Sequence, residues 1–378
     1  MGPTRTLLSL LGNPERHYST IHIGGSNGKG SVAVMVTGAL MRSGLNVALY
    51  TSPHLVDVRE RMLVNGRPMP EAAFAHWTAT LLEEIARIGA SFFEATTAIA
   101  LADFAARGAD MAVVEVGLGG RLDSTNVIDP LVGAVTSVSM EHTDYLGNSL
   151  EDIAREKAGI AKPGRPFVIG ETDEAIAAVL AEQGRAAGAD VRMVPRHATY
   201  SGAVAMAGAH QRRNAAVAAA VLDALPDHLR PSPRDTADGI AGAKLAGRFD
   251  RRGKWLFDVA HNAAAFAVLV AGIEAACVPR PLHALLGILG DKDHPTMLRM
   301  LGAVVDSLWL TTPPSAPRHR RSDLASMERL AACPVNVESD FDGALAGVQR
   351  GAATVLVTGS FHTVGDAMSR LPGFPPLG

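Results

Sequence analysis

Cysteine is nearly missing from this chain of 378 residues, where Cys277 and Cys333 are the only two. They lie far from any metal-type spacing and cannot build a disulfide framework, so they are expected to be small buried hydrophobes in a reducing compartment. Aromatic residues are scarce as well, at 5%, and the formal charge is only −3. Few stacking platforms and no basic field argue against nucleic acid as the main partner and for a small ligand. No run reaches the ~18 apolar residues of a membrane span, so no membrane association is expected. The first residues hold apolar side chains only at Leu7-Leu8 and Leu10-Leu11, with no small-residue cleavage site, and the expected location is the cytoplasm.

What the chain does have is glycine at the ends of β-type runs. Ser19 to Ile23 is β-branched, then four glycines fall within seven residues, and an apolar run follows from Val32 to Val36. Strand, glycine-rich loop and helix in that order expose backbone N–H groups beside the positive end of a helix dipole. Lys29 adds a point charge suited to the outer phosphates of a nucleoside triphosphate. The strict phosphate-loop pattern is not met, because Ile23 stands where its first glycine belongs and Gly30 separates Lys29 from Ser31. A tight βα turn with a solvated lysine is the bland alternative.

The same arrangement recurs along the chain. Asn46 to Tyr50 is a second β-type run, ending at Thr51-Ser52-Pro53-His54. Helical spacing covers Glu71 to Arg87 and Phe92 to Arg107. Met111 to Val116 is a run of the kind buried on both faces, yet it contains Glu115. An acid there suits Mg²⁺, which takes one or two protein oxygens and completes its shell with phosphate and water; an ion pair with Arg121 is the alternative. Leu131 to Val138 leads into Glu141-His142-Thr143-Asp144, and a helix from Leu150 to Ile160 carries Lys157, by pattern alone a solvated lysine. In an open parallel sheet all these strand ends line one crevice. After the proline-rich stretch 226–233 and a linker near Gly242 to Gly247, strands and helices alternate again from Trp255 to Val357. The spacing predicts an α/β protein with mainly parallel sheets in two domains, residues 1–243 and a smaller one at 248–378.

The loops together resemble the folylpolyglutamate synthase and dihydrofolate synthase family, within the Mur ligase superfamily. The carriers are HIGGSNGKGS at 22–31, YTSPHLVDVRERMLVNGRPM at 50–69, FFEATTAIALADF at 92–104, VVEVGLGGRLDSTN at 113–126, EHTDYLGNSLEDIAREKAGIAKPG at 141–164, DVAHN at 258–262 and GDKD at 290–293. The resemblance implies an ATP-binding P-loop-type domain followed by a glutamate ligase domain, as in Mur ligases, and an ADP-forming ligase that joins L-glutamate to a folate or dihydropteroate carboxylate. It implies that Ser26, Asn27, Gly28, Lys29, Gly30 and Ser31 hold the ATP triphosphate. One Mg²⁺ would sit on Ser52 and Glu115, and a second on His142 and a carbamylated Lys157, which reverses the solvated reading of that lysine. Lys29, His142 and Lys157 would be catalytic. Asn214, Arg248, Asp258 and His261 resemble residues that grip adenine and ribose across an interdomain cleft. Phe93, Leu122, Asp123 and Ser124 resemble the wall of the pterin pocket, with Phe93 stacking and Asp123 hydrogen-bonding the ring.

A monomer is expected. Two other functions are open at this stage: a Mur-type amide ligase for another carboxylate, and a nucleotide-binding protein without ligase activity. The chain departs from the family at Ser26, where threonine is usual, and at Ala263, where proline usually follows the Asn of DVAHN. It is also short between Val194 and His210.

Overall fold

A computed structural model describes residues 1–374. It divides into two compact units, one built from Met1–Pro53, Val58–Ala205 and Gln211–Lys244, the other from His54–Asp57, Met206–His210 and the chain from Leu245 onward. His54, read in sequence beside Ser52, therefore clusters with the second unit.

The first unit holds an eight-stranded sheet. Its strands are β1 (Ser19–Gly24), β2 (Val47–Tyr50), β3 (Met62–Val64), β4 (Arg67–Pro68), β5 (Met111–Glu115), β6 (Val132–Val135), β7 (Pro166–Ile169) and β8 (Asp190–Met193), in the spatial order β4-β3-β2-β5-β1-β6-β7-β8. All pairs from β2 to β8 are parallel, and β3 and β4 add an antiparallel edge. The central strands are apolar on both faces because helices cover both, as parallel sheets require. The β3–β4 hairpin turns at Asn65-Gly66, both with positive φ, an Asn-Gly signal not read from the sequence.

Strand order reverses around β1. The chain passes from β1 over β5 to β2, and later from β5 over β1 to β6, so the carboxyl ends of these strands surround one topological switch point. Register brings the parts together there, with Ile23 beside Glu115 and Gly24 beside Val135.

The helix after β1 spans Lys29–Arg42 and begins three residues earlier than its apolar run suggests, so Lys29, Gly30 and Ser31 form its first turn. It packs on the helix Pro233–Gly242, which lies between the proline-rich stretch and the expected linker and is not expected from the sequence. That helix starts with Ser232 accepting a hydrogen bond from the Asp235 amide and Pro233 at its first position, a start signal that was available. Beside the buried Ile240 its closest approach is made by glycine: a Cβ on Gly239 would lie 2.3 Å from the Ala39 amide nitrogen. The backbones approach closely, and periodicity is silent about such a contact.

The second unit contains a six-stranded sheet of β9 (Asp250–Arg252), β10 (Trp255–Phe257), β11 (Leu282–Leu286), β12 (Ser307–Leu310), β13 (Val335–Val337) and β14 (Thr354–Thr358), ordered β13-β12-β11-β14-β10-β9. It is parallel except for the β9–β10 edge. One apolar cluster packs on each face. The helix Phe361–Arg370 after β14 was not expected from the sequence, although Ser360 caps it by accepting from the Thr363 amide.

Candidate active site

The glycine-rich loop after β1 is held open by the end of β6. Ser26 donates its amide to Ser137 O at 2.7 Å, and its hydroxyl accepts from the Ser139 amide at 2.9 Å. Thr136 and Ser137 donate their hydroxyls to Asn27 O at 2.7 and 3.0 Å. These serine and threonine supports were missed in the sequence, where nothing links residue 136 to residue 27. Gly28 caps the helix in the left-handed region at φ 88°, and a Cβ there would lie 2.6 Å from Asn214 Oδ1. A side chain is excluded by both conformation and space. Lys29 Nζ curls back to donate to Gly25 O at 2.8 Å and Ser26 O at 3.1 Å, close to the loop it would serve. No acid occupies the first turn of this helix, so its positive end is not neutralised by its own residues. Asn214, on the helix Ala209–Asp223, donates to Gln211 Oε1 at 3.0 Å and stands against this loop.

Glu115 ends β5 and is only 4% exposed. Its Oε2 accepts from the Ser52 amide at 3.1 Å, which brings Ser52 and Glu115 together across the ends of β2 and β5. The alternative partner, Arg121, instead forms an ion pair with Glu156 at 2.8 Å.

Lys157 is 1% exposed, so the solvated reading from pattern alone is wrong. Its partner is Glu141, the residue before His142, at 2.7 Å from Nζ to Oε1. Burial lowers the lysine to about 8 against the attraction of Glu141. Burial pushes Glu141 up, but the Lys157 and Lys29 ammonium groups outweigh it and hold the carboxyl at about 2. Glu141 was not singled out in the sequence, yet a buried lysine implies a nearby acid. His142 takes a left-handed conformation at φ 48° and caps the short helix Thr143–Leu146.

This pair has a pH signature. Glu141 titrates near 4.5 when unfolded and near 2 when folded, so its stabilisation is present above pH 4.5 and is lost as pH falls toward 2. In metal-free buffer, thermal unfolding of the wild type should show a steeper loss of Tm between pH 4.5 and 2 than Glu141→Gln. Equal slopes would show that the pair contributes nothing to folding.

Four residues of the expected pterin wall gather beside this edge. Phe93, on the helix Phe92–Ala106, has its ring 6.2 Å from that of Tyr50. A Cβ on Gly117 would collide with the Phe93 ring at 2.1 Å, so the loop after β5 lies flat against it. Leu122 is 63% exposed, an apolar side chain left largely open among the described residues. Ser124 is buried and hydrogen-bonded to Thr97 at 2.7 Å. Asp123 is also buried: Oδ2 accepts from the Leu118 amide at 2.8 Å, and Oδ1 from the Thr125 amide at 2.9 Å and the Thr125 hydroxyl. Burial raises the Asp123 carboxyl, and these donors oppose the rise.

In the second unit Asp258 follows β10, with its oxygens accepting from the Phe249 and Ala260 amides, each at 2.8 Å. Burial raises its carboxyl against the pull of Arg248. The Arg248 guanidinium lies 5.0 Å from the Phe361 ring centroid, and the His261 ring 5.7 Å from the same ring. His261 Nδ1 bonds to Val259 O at 2.9 Å, so in the neutral ring the proton sits on Nδ1. Burial and Arg248 lower the nearby His210 to about 4.

Among the described residues, no group of three or more His, Cys, Asp or Glu is arranged to hold a metal. The oxygen donors at Ser52 and Glu115 still suit a hard cation that takes few protein ligands. Lys157 does not suit one as it stands, because an ammonium group has no lone pair to offer.

Comparison with known proteins agrees with this geometry. Residues 23–200 match the Mur ligase middle domain and residues 247–361 the Mur ligase, glutamate ligase domain. A probable bifunctional folylpolyglutamate synthase/dihydropteroate synthase of Halobacterium salinarum is 37% identical over 97% of this chain, and the chain spans about half, 49%, of that relative's length. The dihydrofolate synthase/folylpolyglutamate synthase of Escherichia coli is 36% identical over 92% of this chain and 85% of its own. Among solved structures, E. coli FolC in complex with DHPP and ADP superposes with a TM-score of 0.86 at 32% identity, over 96% of this chain and 92% of that one. A bifunctional folylpolyglutamate synthase/dihydrofolate synthase with Mn, AMPPNP and L-glutamate bound gives 0.82 at 31%, over 97% and 93%. Matches of this extent, over both units and through every loop described above, leave one conclusion: the chain belongs to the folylpolyglutamate synthase/dihydrofolate synthase family of Mur ligases.

Proposed function

We propose that this protein is an ATP- and Mg²⁺-dependent ligase that joins L-glutamate to a folate or dihydropteroate carboxylate through an acyl phosphate. The observation that carries the proposal is the meeting, at one sheet edge, of a phosphate loop, the Ser52–Glu115 contact and the Glu141–Lys157 pair, with an apolar wall beside them. Binding of DHPP and ADP, and of Mn, AMPPNP and L-glutamate, by the structural relatives supports the same assignment.

A carboxylate resists attack by an amine because oxide would have to leave. The substrate carboxylate therefore takes the γ-phosphoryl of ATP with release of ADP, and the glutamate amine then attacks the acyl carbon and expels phosphate, losing its proton. The amides at 26–31 cradle the phosphates, and the Lys29 ammonium balances charge on the transferred phosphoryl oxygens. Ser52 and Glu115 hold one divalent cation, and His142 with a carbamylated Lys157 a second. Bound there, the cations supply neutralisation of phosphoryl charge and polarisation of the acyl oxygen. Carbamylation requires the neutral amine, which the lowered pKa of Lys157 favours, and it requires Glu141 to release the lysine. Phe93 and Leu122 flank the pterin, with Asp123 and Ser124 contributing to that wall. Asn214, Arg248, Asp258 and His261 are assigned to the nucleoside on the strength of the family resemblance.

The deciding experiment measures phosphate release with ATP, Mg²⁺ and L-glutamate against dihydropteroate, tetrahydrofolate or a muropeptide precursor. Release with either pteridine substrate supports the proposal. Release only with the muropeptide moves the chain to another ligase reaction, and ATP binding without release with any substrate leaves a nucleotide-binding protein. The same assay in CO₂-depleted buffer should lose activity and regain it with bicarbonate; indifference to bicarbonate would mean that Lys157 works as a plain amine.

A further inference from the structure

His22 lies at the centre of β1, two residues before the first glycine of the phosphate loop, and is fully buried. It is no part of the nucleotide or metal chemistry described above. Its Nε2 lies 2.9 Å from Thr125 Oγ1, and Thr125 Oγ1 is in turn hydrogen-bonded to Asp123 Oδ1. His22 Nδ1 has no partner among the described residues.

The direction of this chain of bonds follows from counting protons. A hydroxyl carries one proton, and Asp123 already accepts from two backbone amides, so it acts as the acceptor in each contact. Thr125 therefore donates to Asp123, and its oxygen accepts from His22 Nε2–H. The opposite arrangement would need a protonated Asp123 and a proton on Nδ1, leaving a buried N–H with nothing to bond. A buried unpaired donor costs more than the bare lone pair that the first arrangement leaves. Burial foremost, and the charge of Lys162, keep the ring neutral, with its pKa lowered to about 3.

The wall segment Leu122–Ser124 is thus clamped from two sides. Ser124 bonds to Thr97, whose helix carries Phe93, and Thr125 bonds to His22 on β1. We propose that His22 is a positioning residue for the folate-binding wall, its Nε2–H holding Thr125 so that Asp123 and the neighbouring Leu122 keep one orientation. The proposal rests on the assignment of this wall to the pteridine substrate made above.

The test uses the full chain and measures KM for the pteridine substrate, KM for ATP, kcat and Tm. His22→Met removes the donor at similar length, whereas His22→Gln keeps an N–H near the Nε2 position. His22→Met is expected to raise the pteridine KM about tenfold, the factor for one lost hydrogen bond to an oriented group, with kcat and the ATP KM within about twofold. His22→Gln should restore the pteridine KM to within about threefold of wild type. Equal effects of the two variants, or a parallel rise in both KM values, would overturn the proposal in favour of packing alone. If His22→Met does not fold, Thr125→Val removes the same link with little change of volume and must raise the pteridine KM alone; an unchanged value overturns the proposal. Phe93→Ala separates the two layers of argument. If it leaves the pteridine KM unchanged, the wall assignment fails; if it raises the value while His22→Met does not, only the role of His22 fails.

Discussion

Glu115→Gln is expected to reduce glutamate-dependent phosphate release about a thousandfold, the scale of losing the anchor of a catalytic cation. The substitution isolates charge. Glutamine has the same shape, and its carbonyl oxygen can still accept from the Ser52 amide, as Oε2 does at 3.1 Å. The side chain is 4% exposed, so its charge acts where water screens little. Removing a buried charge should leave Tm unchanged or slightly raised. Activity and melting must therefore separate. Turnover within tenfold of wild type at saturating Mg²⁺ would remove Glu115 from the metal site, and a collapse of Tm would make it a structural acid.

Lys29→Met should give a loss of similar size in kcat, about a thousandfold, together with weaker ATP binding. The loop is not expected to collapse. Its shape is set by Thr136, Ser137 and Ser139 as well as by the two bonds from Lys29 Nζ to Gly25 O and Ser26 O. Pteridine binding, measured by titration without ATP, should stay near wild type. A raised ATP KM with unchanged kcat would mean that the lysine holds ATP equally in the ground and transition states and adds nothing specific to phosphoryl transfer.

Legibility differed from residue to residue for physical reasons. The glycine-rich loop and the run Met111 to Val116 could be read because strand, turn and helix each have a local signature, and strand ends in a parallel sheet share one edge. Lys157 could not be read from pattern, since periodicity on its nine-residue helix, Leu150–Ala158, does not tell a buried lysine from a solvated one. Its position became clear only with Glu141, sixteen residues away in sequence. Ser52 and Glu115 are 63 residues apart, and their contact exists because β2 and β5 are neighbours in the sheet. The helix Pro233–Gly242 escaped notice because its closest approach is made by Gly239, which carries no hydrophobic signal, and Ile240 is its one buried large apolar side chain.

By itself the sequence determined the α/β class, the alternation that builds mainly parallel sheets, the phosphate loop and, through its long motifs, the family. Those features depend on near neighbours in the chain, where propensity, turn chemistry and spacing act directly. Tertiary structure alone decided which polar groups meet: Glu115 with Ser52, Lys157 with Glu141, and His22 with Thr125 and Asp123. Such meetings depend on strand order and register, which join residues distant in sequence. Burial then sets their charge and proton positions, because away from water each donor must find an acceptor among the few groups that the fold has brought within reach.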